Sequence, residues 1–254
     1  TAMRIMLEDL HDLLAGQPLA PPQGPALADL DRQLCAQDKD AARAYFQTTL
    51  ADPLGPTAWL TASDHPPGRI QRLTHTLPRA TSDALRETVA RMGATPLNAV
   101  QAAWALVQAR WGGQSRAVFG LVDSGRSLLP AYAQTVGCMI STLPMQVDLG
   151  AHSQLSDLLA HLRQTTLAMR PHGHADLADI RRWTGSPGNQ PLFDSIVMLA
   201  RGSLGTAVAR AGKSGLFQDI RLLEEGSAPL TLAVYDDTDI GIEIHLFDIT
   251  ADKP

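Results

Sequence analysis

Three consecutive segments constrain the fold of this chain more than any other feature. Residues 96–111 are almost entirely apolar and open with Thr95-Pro96, which places proline at the first helical position. Two near-continuous apolar runs follow, 116–122 and 138–148. Runs of this kind, without polar alternation, are what strands covered on both faces look like. They are therefore expected as interior strands of one sheet, covered by the 96–111 helix, with Trp104 in the core between them. Pro144 lacks an amide hydrogen, so the second strand must run at a sheet margin or break its ladder there. Such a break would free backbone groups beside Ser141 and Thr142.

The rest of the chain alternates between helical and extended patterns. Residues 2–15 carry Met3, Met6, Leu7, Leu10, Leu13 and Leu14 at helical spacing, ending at Gly16 and Pro18. A second helical region spans 27–50, and residues 52–69, with four prolines, read as an extended linker. From Ile70 to Leu77 the pattern has period two, which predicts a strand. Thr81 or Ser82 can cap a helix running to Met92 and Gly93. Beyond 148, a helix is expected at 153–169 and a short segment at 174–183. Strands are expected at 193–200, 217–223, 229–235 and 240–247, the last two joined by a hairpin at Asp236-Asp237-Thr238-Asp239. Residues 201–215 read as a loop. Helices interleaved with strands imply an α/β fold, a mixed β-sheet covered by helices.

Composition narrows the function. The 254 residues are 44% hydrophobic and 19% charged, with a net charge of −5, which is an ordinary globular balance without a basic footprint for nucleic acid. No apolar run approaches the roughly 18 residues that a membrane span needs, and no basic segment precedes an apolar core at the start. Cys35 and Cys138 lie far apart with no metal-ligand spacing, so two reduced thiols in a cytoplasmic protein are expected.

Several short motifs occur in a fixed order. The run Ala94-Thr95-Pro96-Leu97-Asn98-Ala99-Val100 leads through Gly112-Gly113 into a strand ending Ser124-Gly125-Arg126. Val136-Gly137-Cys138-Met139-Ile140-Ser141-Thr142-Leu143-Pro144 follows, then His172-Gly173-His174-Ala175-Asp176-Leu177, then Asn189-Gln190-Pro191-Leu192-Phe193-Asp194. In this order they resemble the C-terminal half of a nonribosomal peptide synthetase condensation domain. Ser141 stands where the family's Gly-x-x-x-Asn-Thr-Leu-Pro element has asparagine. Met3 to Leu14 resembles the helix after the catalytic loop, and Ala44-Tyr45-Phe46 the passage between lobes.

The resemblance implies a chloramphenicol-acetyltransferase-like lobe. Residues 1–69 would be a remnant of the N-terminal lobe and the crossover linker, and 70–254 the C-terminal lobe. In the intact domain, peptidyl or acyl carrier proteins deliver substrates on 4'-phosphopantetheine arms into a tunnel between two lobes, and no cofactor is bound directly. The partners implied are carrier proteins, the other lobe and neighbouring synthetase domains, with no nucleic acid and no membrane. The family's catalytic His-His-x-x-x-Asp-Gly is absent, so no catalytic residue is expected here. The chain is expected to begin just after that loop and to be clipped at its end. Ser124, Gly125, Arg126, Gly137, Ser141, Thr142, Pro191 and Phe193 are expected at the tunnel or lobe interface.

Each residue also has a plainer reading. Arg126 at a strand end is either a solvated terminus or a buried ion-pair partner, and the resemblance supplies the catalytic-loop aspartate as that partner. Thr in a strand is ordinary β chemistry. Ser141 is shorter than asparagine, which weakens any direct oxyanion contact. His172 and His174 lack further ligands for zinc. His152 is expected at a helix start, and His75 and His245 in solvent. No Gly-x-Ser-x-Gly elbow supports a Ser–His–Asp hydrolase. The rivals are a non-catalytic module of this fold that docks a carrier protein or tailoring enzyme, an epimerization-type relative, and an unrelated α/β enzyme using some of the histidines.

Overall fold

The computed structural model describes residues 2–19, 21, 24–50, 71–126, 128–186, 191–200 and 228–246. The expected linker 52–69, the loop 201–215 and the strand 217–223 lie outside these residues. The centre is a six-stranded mixed sheet in the order β1-β6-β5-β4-β2-β3. Its strands are β1 (Gln71–Thr76), β2 (Arg116–Asp123), β3 (Ser141–Asp148), β4 (Ser195–Ala200), β5 (Leu230–Asp236) and β6 (Ile240–Leu246). β2, β4 and β5 run parallel, while β3, β6 and β1 pair antiparallel with their neighbours. This is the mixed α/β sheet that the alternation of patterns implies.

The helices are α1 (Ala2–Leu14), α2 (Leu27–Cys35), α3 (Lys39–Thr49), α4 (Arg79–Arg91), α5 (Pro96–Gly112), α6 (Leu155–Met169) and α7 (Leu177–Thr184). The expected helical region 27–50 is two helices, because Asp38 caps a new one by accepting from the Ala41 amide. α5 starts as expected, with Thr95 and Asn98 forming a reciprocal capping box. α4 does not start at Thr81 or Ser82: Pro78 precedes its first turn and Ser82 lies inside it. The Ser82 hydroxyl instead donates to Leu77 O and accepts from Ile240 N, tying α4 to β6.

α5 covers β2, β4 and β5, and α6 covers β3. Phe119, Leu143, Met145, Val147, Leu159, Leu162 and Val197 are buried in the layer between. Trp104 joins them at 7% exposure, as expected. α5 is not buried all round, however. Leu106, Val107 and Trp111 are exposed, while the face toward the sheet holds Asn98, Gln101 and Gln108 as well as apolar residues. β2 is an interior strand, but β3 lies at the sheet margin, which corrects the expectation that both are interior. Pro144 pairs with Gly120, and its missing amide hydrogen is tolerated because β3 has no described neighbour on its other side. β3 also begins later than expected. Cys138 and Ile140 precede it and are exposed. At the opposite margin, every residue of β1 is exposed despite its period-two pattern.

α3 belongs to the same core. Ala42, Phe46 and Leu50 are fully or almost fully buried in it, and α3 packs on α7 and on the 3-10 turn Arg170–His172.

Candidate functional site

The expected site residues lie around the C-terminal end of β2 and the start of β3. Asp123 ends β2, and its carboxylate accepts from the Gly125 amide at 2.8 Å, a local turn that reverses the chain. Gly125 has φ +68°, and a Cβ on it would stand 1.9 Å from Met139 O, so the backbone of the following loop leaves no room for a side chain. Asp123 also faces Arg170 at 3.6 Å. Ser124, between them, is exposed.

Arg126 is not a solvated terminus, and among the described residues it has no ion-pair partner. Its Nη1 donates to Tyr132 O, Ala133 O and Thr135 O at 2.8, 2.9 and 3.0 Å, and its Nη2 to Gly137 O at 3.4 Å. The guanidinium thus gathers the carbonyls of the loop that crosses from β2 to β3. Burial pulls its pKa below the ordinary arginine value. Gly137 allows α2 to approach this loop, because a Cβ there would meet Leu27 Cδ1 at 2.6 Å.

Ser141 and Thr142 do not share a wall. Successive strand residues point to opposite faces, and each of these two has its own surroundings. Ser141 pairs with Asp123 and lies beside Gly173, where a Cβ on that glycine would be 3.5 Å from Ser141 Oγ. Thr142 lies on the other face with Phe193. A Cβ on Gly120 would meet Phe193 Cε2 at 2.6 Å and Thr142 Cγ2 at 2.8 Å. Gly120, Thr142 and Phe193 therefore converge at one point. Register identifies that face as the one turned away from α5: Ser195 faces α5, and its neighbour Ile196 pairs with Gly120. Pro191, two residues before Phe193, is exposed.

Two residues beyond Phe193, Ser195 ties β4 to α5 on the other face of the sheet. Trp104 Nε1 and Gln108 Nε2 both donate to Ser195 Oγ, at 3.1 and 2.8 Å, in a buried contact. Sequence reasoning missed Ser195 and Gln108, although their polarity inside apolar segments was a visible signal.

The histidines fall in separate places. His172 and His174 lie on a turn. The His172 ring stacks on Tyr45 with centroids 4.6 Å apart, and burial holds its pKa below the usual imidazole value. Burial also pushes the Tyr45 phenol up to about 12. His152 follows a short 3-10 turn and faces His161 at 4.7 Å between centroids. His161 is held low by burial and by His152. His75 is exposed as expected, but His245 is buried, with Nε2 3.0 Å from Glu243 Oε2. The alternation that places β6's isoleucines toward α5 turns His245 to the opposite face, and that face is covered at this point. Among the described residues, no three His, Cys, Asp or Glu side chains are grouped to hold a metal, and no helix is long and apolar enough to cross a membrane.

A sequence model of the Condensation domain matches residues 1–239. The chain belongs to the condensation-domain family. A linear gramicidin synthase of Brevibacillus parabrevis is 34% identical over 228 residues, covering 88% of this chain and 4% of that protein. Chondramide synthase cmdD of Chondromyces crocatus is 30% identical over 202 residues, covering 78% of this chain and 5% of its own length. Among solved structures, a mutant starter condensation domain of rhizomide synthetase RzmA superposes with a TM-score of 0.68 at 20% identity. That superposition covers 97% of this chain and 56% of the other. The X-domain from teicoplanin biosynthesis, solved in complex with OxyB, gives a TM-score of 0.71 at 20% identity, covering 98% and 60%. The chain thus spans little more than half of these condensation-type folds and a small fraction of the synthetases it matches. The chloramphenicol-acetyltransferase-like fold expected for a condensation-domain lobe is the fold present.

Proposed function

We propose that this chain forms the C-terminal-lobe wall of the substrate tunnel in a peptide-bond-forming condensation domain, together with part of the carrier-docking surface. The observation that carries the reading is the convergence of Phe193, Thr142 and Gly120 on the sheet face turned away from α5, in a chain of this family. The reaction joins a donor acyl thioester to an acceptor aminoacyl thioester, both carried on phosphopantetheine. The acceptor amine attacks the donor carbonyl, a C–N bond forms and the C–S bond breaks. The donor carrier regains its thiol, which takes up the proton that the amine gives up.

In this reading, holding two tethered reactants end to end supplies most of the acceleration. A histidine of a His-His-x-x-x-Asp-Gly loop orients or deprotonates the amine. No such motif occurs in the 254 residues, so the base comes from outside this chain. Arg126 is the partner in this chain for the aspartate of that loop, and Ser124, Gly125 and Gly137 shape the turn that presents it.

The test is a condensation assay with loaded carrier proteins. A domain completed with its first lobe should form the amide, and Phe193→Ala should slow it. This chain alone should form none. Turnover by the chain alone would overturn the reading.

A second reading, a docking module without catalysis, draws on α1, where Met6, Leu10, Leu13 and Leu14 are all exposed. An apolar stripe of that kind suits a protein partner. The docking reading requires that the completed domain carry a degenerate catalytic signature and bind its partner without turnover.

A further inference from the structure

The loop between β2 and β3, residues 124–140, is longer than most connections in a compact fold. Four of its carbonyls point at the Arg126 guanidinium. Carbonyl dipoles brought together in this way repel one another unless a cation lies among them. Two of the four belong to Thr135 and Gly137, and on these two residues the start of α2 rests. Thr135 Oγ1 donates to Pro25 O over 3.3 Å, across 110 residues of chain. A Cβ on Gly24, which has φ +114°, would stand 2.8 Å from that hydroxyl and 3.2 Å from Ala131 O. A Cβ on Gly137 would stand 2.6 Å from Leu27 Cδ1. Both sides of the contact have glycine where they come closest.

This contact holds the first end of α2. Beyond its other end, Asp38 caps α3, whose Phe46 is buried in the core. Two fixed points set the direction of a helix, whereas one leaves it free to swing. Arg126 reaches the first point through main-chain carbonyls, so its effect on α2 passes through the loop.

We propose that residues 131–137 are the seat that fixes α2 on the sheet, and that Arg126 is the positioning residue of this seat for condensation. The proposal rests on the reading that α1 and α2 belong to the first lobe and that the sheet lines the tunnel. A tilt of α2 then moves one wall of the tunnel against the other, and a small misplacement of two tethered reactants lowers the rate steeply.

The test uses the completed condensation domain with spin labels on two exposed positions. One is Cys35 at the end of α2, the other Gln164→Cys in α6, and every other cysteine is replaced by serine. Arg126→Ala would slow condensation under either of its roles, so the deciding variants leave it in place. Gly137→Val drives a branched side chain against Leu27, and Leu27→Ala in the same chain makes room for it. Gly137→Val should shift the distance between the labels and lower the condensation rate about tenfold. Leu27→Ala should restore both. Thr135→Val is milder: it removes the bond to Pro25 O and keeps the carbonyl that Arg126 holds. It should broaden the distance distribution, and Thr135→Ser should not. An unchanged distance in Gly137→Val and Thr135→Val overturns the seat. A shifted distance at full rate, or a rate loss that Leu27→Ala does not restore, overturns the positioning role. Phe193→Ala is the separate check on the tunnel wall: if it leaves the rate alone, the wall reading fails, while the label distance still decides the seat.

Discussion

The ring of Phe193 occupies the space that a side chain on Gly120 would need, 2.6 Å from the position of its Cβ. Thr142 closes the same space from the neighbouring strand. Gly120→Ala should therefore push the ring out of place and destabilise the fold by about 1–3 kcal/mol, the usual cost of overpacking. Thermal melts should show the loss, and Phe193→Leu in the same chain should recover part of it. A Gly120→Ala variant that melts with the wild type would contradict this contact.

On the α5 face of the sheet, Trp104 is expected to be the more sensitive position. Trp104→Ala should cost roughly 3–5 kcal/mol, as deletion of a buried aromatic does. Ser195→Ala deletes only one oxygen, but it leaves two buried donors, Trp104 Nε1 and Gln108 Nε2, without that acceptor. A loss of about 1–3 kcal/mol is expected, read by denaturant titration.

Arg126 should act on its loop before it acts on global stability. Arg126→Lys keeps the charge but loses the planar fork that reaches four carbonyls. Hydrogen exchange of the amides at 132–137 should speed up in Arg126→Lys and further in Arg126→Ala. Unchanged protection in both variants would mean that the loop is held by something else.

Acid should loosen the packing of His172 on Tyr45 of α3 and of His161 in α6. His172 and His161 are both held below the ordinary imidazole value of 6.5, chiefly by burial. A lowered folded value means that the unfolded chain takes up the proton first. The stability concerned is fully present above pH 6.5 and is lost as pH falls through the folded values. His172→Phe keeps a ring against Tyr45 but cannot titrate, so its melting temperature should fall less than the wild type's between about pH 7.5 and about pH 5. Parallel curves for the two proteins would count against this role.

Local signals gave most of the elements. Thr95-Pro96 set the start of α5 because capping and proline geometry act within one turn, and the small apolar side chains of α5 let Trp104 pack against the sheet. The order of motifs identified the family. Even the separation of Ser141 from Thr142 was legible, since a period of two forbids neighbours from sharing a face. Long-range pairing decided the rest. Whether β3 lies inside the sheet or at its margin depends on which strands join it, and an apolar run reads the same in both places. His245 carries the alternation of an exposed position, yet it is buried, because burial depends on what packs over a face and not on the strand itself. Arg126 could not name its acceptors in advance, because backbone carbonyls carry no sequence signature. The need for glycine at position 120 arises only when Phe193, from a segment more than seventy residues away, is laid across it.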